Sequence, residues 1–327
     1  NWMADLKYLD LYEDVEFPEP ETLFDDYATR GDQMRQQQLT IDRHMGYAFD
    51  FKVEELKDEP TLQYIHDSWD IAMSTLTPEQ RRVWDDSYGR KNRDFLADRP
   101  EGKELLRWKY QRYIHDYCRT IRSVDDQIGR VLDYLEENGL MDNTLIVYTS
   151  DQGFLLGEHG LYDKRFMYEE SFRTPLVMRL PGGARGDIAE MVQNIDYAPT
   201  FLELAGVAVP DDMQGLSLLP LLKGGHPADW RRSLYYHFYE YPAEHMVRRH
   251  YGARNDRWKL IHFYNDIDQW ELYDLQEDPH ELRNLYGLPE YAAPRREMTE
   301  ELVRLQTQYG DTLALRRNGR VTAANGN

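Results

Sequence analysis

The sequence predicts an α/β fold that passes into a smaller domain built on an antiparallel sheet. Three observations carry this prediction. Residues 105–137 place Tyr110, Ile114, Tyr117, Ile121, Val124, Ile128, Val131 and Leu135 at steps of three and four, the spacing of one helix face. That helix stops at Asn138-Gly139 and feeds the apolar run Thr144-Leu145-Ile146-Val147-Tyr148-Thr149, an αβ unit of the kind that builds parallel sheets. After Gly224-Gly225 the texture changes to short alternating patterns, which places a domain boundary there: residues 1–225, then 226–327.

The chain has 327 residues, enough for both domains. Lys and Arg number 39 against 59 Asp and Glu, a formal charge of −20, which argues against non-specific binding to nucleic acid or an anionic membrane. A locally positive pocket for an anionic substrate stays compatible with that balance. No apolar run is long enough to span a bilayer. The one cysteine, Cys118, rules out a disulfide within the chain. The chain opens at Asn1-Trp2 without an initiator Met and reads as part of a longer polypeptide.

Residues 1–60 are acidic and rich in turn formers, and read as a solvated extended segment. Thr77-Pro78-Glu79-Gln80 is a helix start, with Thr as cap, Pro in the first turn and Gln completing a capping box. The charged stretch 84–100 reads as short helices or loops. The run at 144–149 suits a strand covered on both faces. It ends at Ser150-Asp151-Gln152-Gly153, and ligands in open α/β sheets sit beyond the carboxyl ends of strands. Asp151 and Gln152 offer hard oxygen donors suited to Ca²⁺ or Mg²⁺, while Gly153 lets the backbone turn. On spacing alone an Asp-containing turn with a surface Lys164 is an equal alternative.

A second apolar strand spans 176–180, with Glu169 and Arg173 ahead of it as a structural pair. Asp196 opens a helix that ends near Gly206 and is read as its cap. Strands follow at 234–239, 248–254, 258–264 and 271–274, then an amphipathic helix at 295–309 and a polar tail that frays after Arg316. Glu244-His245-Met246-Val247-Arg248-Arg249-His250 concentrates positive charge in an acidic chain. It is either an exposed edge strand with protective charges, or a wall of a substrate pocket formed by His245, Arg248, Arg249 and His250.

The run SDQGFLLGEHGLYDK at 150–164, continued by YEESFRTPLVMRLPG at 168–182, resembles the sulfatase family. So does LYDLQEDPHE at 272–281, which is similar to the end of a hairpin in sulfatase C-terminal subdomains. The resemblance implies an alkaline-phosphatase-like fold: a mostly parallel sheet flanked by helices, incomplete here, with a smaller C-terminal subdomain of antiparallel sheet and helix. It implies that Asp151 and Gln152 bind a divalent cation, usually Ca²⁺ and alternatively Mg²⁺. Lys164, thirteen residues after Asp151, would contact the sulfate, and His159 in the GEHG loop would neighbour the catalytic site.

Sulfatases carry a nucleophile motif, Cys/Ser-x-Pro/Ala-x-Arg, whose first residue becomes formylglycine. Cys118-Arg119-Thr120-Ile121-Arg122 departs from it at the third position and lies inside the long helix, so Cys118 reads as a core residue and the nucleophile is expected upstream of this chain. The chain alone is therefore expected to be inactive. The resemblance implies a sulfated carbohydrate substrate, in the manner of N-acetylglucosamine-6-sulfatase-like or iduronate-2-sulfatase-like enzymes, and a secreted, periplasmic or lysosomal location. A phosphodiester or phosphonate hydrolase of the same fold and a non-catalytic sulfated-glycan-binding relative are the alternatives.

Overall fold

The computed structural model describes residues 2–317. In chain order the helices are α1 (Asp32–Arg35), α2 (Gln63–Ser74), α3 (Pro78–Ala97), α4 (Gly102–Glu137), α5 (Glu169–Phe172), α6 (Tyr197–Leu204), α7 (Leu219–Leu222), α8 (Ala292–Gln308) and α9 (Thr312–Arg317). The strands are β1 (Ile146–Thr149), β2 (Leu155–Leu156), β3 (Tyr162–Asp163), β4 (Leu176–Arg179), β5 (Ser233–Phe238), β6 (His250–Asn255), β7 (Trp258–Phe263) and β8 (Gln269–Asp274). The tail predicted to fray is helical as far as Arg317, and its remainder lies outside the described residues. The chain forms two compact units.

The first unit comprises the residues up to Asp25, Gln38–Asp142 and Phe154–Asp163. Its N-terminal stretch is mostly turns, yet it is not merely solvated: Leu9, Leu23, Ile41, Phe51 and Val53 are fully or almost fully buried. Thr77 and Gln80 form the predicted capping box. The helix they start is a single one of 20 residues, not the short pieces predicted for 84–100. Its charged residues obscure a sparse inner face of Trp84, Tyr88, Asn92 and Phe95, all buried. Phe95 stacks on Trp108 of α4 with ring centroids 3.7 Å apart. Helix α4 is as predicted, but only its first half buries its apolar stripe: Tyr110, Tyr113 and Ile114 are covered, Ile121, Val124, Val131 and Tyr134 exposed. Strands β2 and β3 close a short hairpin.

The second unit comprises Asp26–Gln37, Asn143–Gly153 and the residues from Lys164 onward. Its two sheets are antiparallel throughout. In the first, β1 pairs with β4, with Ile146 opposite Arg179 and Thr149 opposite Leu176. This corrects the expectation of a strand buried on both faces, since Tyr148 is 45% and Val177 64% exposed. Two strands leave one face and both edges bare, and the parallel neighbours that a mostly parallel sheet requires are not among the described residues.

The other sheet has the order β5-β6-β7-β8. Helix α8 packs Met298, Leu302 and Leu305 against Tyr251, Ala253, Leu260 and Leu272, as the amphipathic pattern predicts. The predicted boundary at Gly224-Gly225 falls inside the second compact unit. Leu218, Leu221 and Leu222 cluster with Trp230 and with Leu176 and Met178 of β4, so apolar contacts run straight across it. A change of local texture marks where strands begin, not where a core ends.

Candidate active site

Strand β1 delivers its end to a fixed place. Thr149 Oγ1 donates to the Pro175 carbonyl at 2.9 Å and meets the Tyr197 hydroxyl at 2.8 Å, tying the strand end to the β4 and α6 segments. Asp151 follows in an exposed position, and its backbone carbonyl accepts a 2.6 Å bond from Asn194 Nδ2. Its carboxylate meets only the Ser150 hydroxyl, at a long 3.4 Å, among the described residues. The Gln152 amide makes no hydrogen bond among them. Two oxygen donors are thus held by their backbone while their side chains stay uncommitted, which suits a hard cation.

Gly153 explains the anchorage. Its N–H donates to the Ser171 carbonyl at 3.0 Å, and a Cβ at this position would come closer than 3.0 Å to the Glu170 and Arg173 carbonyls. The turn behind the two donors is therefore moulded against the backbone of α5. Lys164 lies partly buried on the same unit. Its neighbour Arg165 is held on both sides: the Tyr236 hydroxyl donates to its carbonyl at 2.9 Å, and its guanidinium pairs with Glu244 at 3.1 Å.

Other residues predicted for the site are placed elsewhere. His159 belongs to the first unit, is fully buried, and has Nδ1 2.9 Å from Asp25 Oδ2. Its N–H donates to Thr22 Oγ1 at 2.9 Å, and its left-handed φ of 56° directs the chain through the turn. The His159 ring has no exposure and is held by Asp25.

Residues 244–249 of the basic segment precede the sheet, and only His250 enters a strand, β6, which lies between β5 and β7. His245 occupies a 3₁₀ turn at Glu244–Met246 and is almost buried. Arg248 is nearly as buried: its guanidinium lies 4.2 Å from the Tyr241 ring centre and 3.0 Å from Asp266, and donates to Gln36. Arg249 Nε donates to the Tyr239 carbonyl at 2.6 Å. His250 is fully buried beside Phe166, Tyr236, Phe238 and Phe263, and burial pushes its ring down to about 4, so it is neutral. As a residue of the interior strand β6 it packs among these aromatic rings.

Asp196 stands at the N-cap position of α6, but its side chain makes no cap bond to that helix: its carboxylate accepts from the Gln193 and Leu216 N–H groups and from both terminal nitrogens of Arg231. Cys118 sits partly buried against Tyr110 and Ile114, with burial raising its thiol, in line with a packing residue. Glu169 does not pair with exposed Arg173. It meets Lys259 at 2.9 Å and Arg254 at 3.2 Å. Fully buried Glu281 joins the same group at 2.8 Å from Lys259. Both residues stand in runs that drew notice in the sequence, but nothing local shows that β7 and the Asp-Pro loop meet beneath α5.

Solved structures of the alkaline-phosphatase-like sulfatase fold superpose on this chain. A sulfatase family model matches residues 21–207, and a model described as N-sulphoglucosamine sulphohydrolase, C-terminal, matches 157–308. The chain belongs to the sulfatase family. It is 47% identical over 319 residues to an N-acetylglucosamine-6-O-sulfatase of Bacteroides thetaiotaomicron, covering 95% of this chain and 56% of that protein. A solved structure in complex with its substrate D-glucosamine-2-N,6-O-disulfate superposes with a TM-score of 0.88 at 46% identity, covering 95% of this chain and 63% of that one. A phosphonate monoester hydrolase of Agrobacterium radiobacter gives 0.57 at 31% identity over 62% of this chain and 43% of that one. The chain thus spans little more than half of the curated relative's length.

Family membership implies a metal ion and a formylglycine. The uncommitted oxygens of Asp151 and Gln152 fit the metal as two ligands, and no group of three or more His, Cys, Asp or Glu side chains that could hold an ion occurs among the described residues. Cys118, inside a helix and without the motif, does not fit the formylglycine. No helix among the described residues is long and apolar enough to cross a membrane.

Proposed function

We propose that the protein, as a complete polypeptide, is a sulfuric ester hydrolase that releases sulfate from O6 of a sulfated glucosamine unit, working outside the cytosol. The observation that most supports this reading is the pair of uncommitted oxygen donors at the end of β1, backed by Gly153 in a family whose members place a metal there. The substrate choice follows two relatives, an N-acetylglucosamine-6-O-sulfatase at 47% identity and a structure holding D-glucosamine-2-N,6-O-disulfate at 46%.

Asp151 and Gln152 would hold Ca²⁺, which supplies positive charge to the sulfuryl oxygens. The Lys164 ammonium would add a second positive charge on the same oxygens, offsetting the charge that develops as the S–O bond breaks. Arg249, partly exposed, would contribute a positive charge for the sugar or a second sulfate, with Tyr239 and Tyr241 as apolar faces and the buried His245 and Arg248 behind them.

The test is Asp151→Ala in the complete polypeptide, with Ca²⁺ binding measured by calorimetry and sulfate release from N-acetylglucosamine 6-sulfate by ion chromatography. Both should be lost together, and retention of both would overturn the metal assignment. The likeness to the phosphonate monoester hydrolase supports one competing reading. Faster turnover of a phenylphosphonate ester than of the sulfated sugar by the wild type would favour it.

A further inference from the structure

Beneath the strand-end site, the second unit holds a buried ionic cluster that no step of the proposed chemistry uses. Lys259 of β7 has no exposure, and its ammonium has three kinds of partner. It donates to the Met167 carbonyl at 2.7 Å, meets the fully buried Glu281 at 2.8 Å, and meets Glu169 at 2.9 Å. Glu281 also accepts the Glu169 backbone N–H at 2.7 Å, and Arg254 of β6 closes the group on Glu169 at 3.2 Å. Apart from the Lys259–Glu281 pair itself, each of these contacts ends on α5 or on the residue pair just before it. Helix α5 has only four residues, too short to hold a shape by its own hydrogen bonds.

That short helix is the wall against which Gly153 is moulded. The Ser171 carbonyl receives the Gly153 N–H, and the Glu170 and Arg173 carbonyls occupy the space a Cβ would need. Gly153 directly follows the two oxygen donors. An unbroken series of contacts therefore runs from the C-terminal sheet through Lys259 and Glu281 to α5, then to Gly153 and to Asp151 and Gln152. Desolvating three charges is costly unless the geometry is tightly specified, and the cluster sits where such specification has an effect.

We infer that Lys259 and Glu281 are positioning residues for the metal ligands: they fix α5, and through it the turn that presents Asp151 and Gln152. The inference rests on the metal reading proposed above. Removing an outer support of a metal ligand typically lowers metal affinity by about 10- to 100-fold. Lys259→Met and Glu281→Gln should each raise the Ca²⁺ dissociation constant by about that factor. Lys259→Arg, which keeps the charge, should restore part of it.

The experiment measures Ca²⁺ affinity by calorimetry in the complete polypeptide, alongside the thermal unfolding midpoint of each variant in EDTA. A support that matters only to the fold would lower the midpoint and leave the affinity of the folded protein unchanged. Weaker Ca²⁺ binding in a folded Glu281→Gln protein, with recovery in Lys259→Arg over Lys259→Met, supports the inference. Should Lys259→Met not fold, the near-isosteric Glu281→Gln decides alone. Unchanged affinity in Glu281→Gln, where Asp151→Ala abolishes binding, overturns the inference and leaves the metal site standing. Absence of Ca²⁺ binding by the wild type, or its survival in Asp151→Ala, overturns both.

Discussion

At the scale of single residues, the site is governed as much by an absent side chain as by present ones. Gly153 has ordinary backbone angles, so its requirement is steric: three groups of the α5 backbone stand where a Cβ would go. Gly153→Ala should force the turn and α5 apart, at a cost of about 1–3 kcal/mol in unfolding free energy. Urea denaturation would measure this, and a loss below about 0.5 kcal/mol would show that the turn yields freely. Asp151, Gln152 and Lys164 could be nominated from the sequence because the residues that single them out lie in one local run. The surroundings of His159 are hidden for a related reason. The loop motif names the residue, but only the fold shows that its ring faces Asp25 and that no water reaches it. Lys259 and Glu281 were not legible as a pair, since 22 residues separate them and only sheet packing brings them together.

At the scale of elements, sequence periodicity located the long helix to within three residues and all four strands of the C-terminal sheet to within two, close to the usual uncertainty at element ends. Helix α3 escaped because its inner face is only a few residues wide amid a run of charges. Its start, however, rests on a readable device. Thr77 Oγ1 accepts the Gln80 N–H at 3.3 Å, and Gln80 Oε1 accepts the Thr77 N–H at 2.8 Å. Thr77→Ala should cost about 1 kcal/mol of stability, measured by the shift of the urea midpoint. Substitution by Ser, which keeps the hydroxyl, should cost less. What periodicity left undecided was which apolar faces are covered. The stripe of α4 looks uniform along its length, and only its first half is buried.

At the scale of the whole molecule, stability should respond to pH through the buried cluster. Burial pushes the Glu281 carboxyl up to about 7, against the pull of Lys259, while Lys259 and Arg254 hold Glu169 down to about 2 despite its own burial. The unfolded carboxyls titrate near 4.5. Glu281 therefore binds its proton more tightly when folded, so its contribution is present below pH 4.5 and is lost as pH rises through about 7. Glu169 acts in the opposite direction, contributing above pH 4.5 and losing that contribution as pH falls toward 2. Glu281→Gln should thus flatten the decline in unfolding free energy between about pH 5 and 7, as measured by denaturant titration at each pH. An unaltered slope would place the proton elsewhere.

The bare ribbon of β1 and β4 has a practical corollary for anyone producing this polypeptide by itself. Among the described residues both of its edges lack a hydrogen-bonded neighbour, and Tyr148 and Val177 on it, with Phe201 and Leu204 of α6, present apolar surface to solvent. Open edges of this kind recruit further strands, and a net charge of −20 supplies the colloidal repulsion that opposes them. Light scattering of the isolated chain should therefore increase with added salt, and a lysine placed at Val177 should hold it clear.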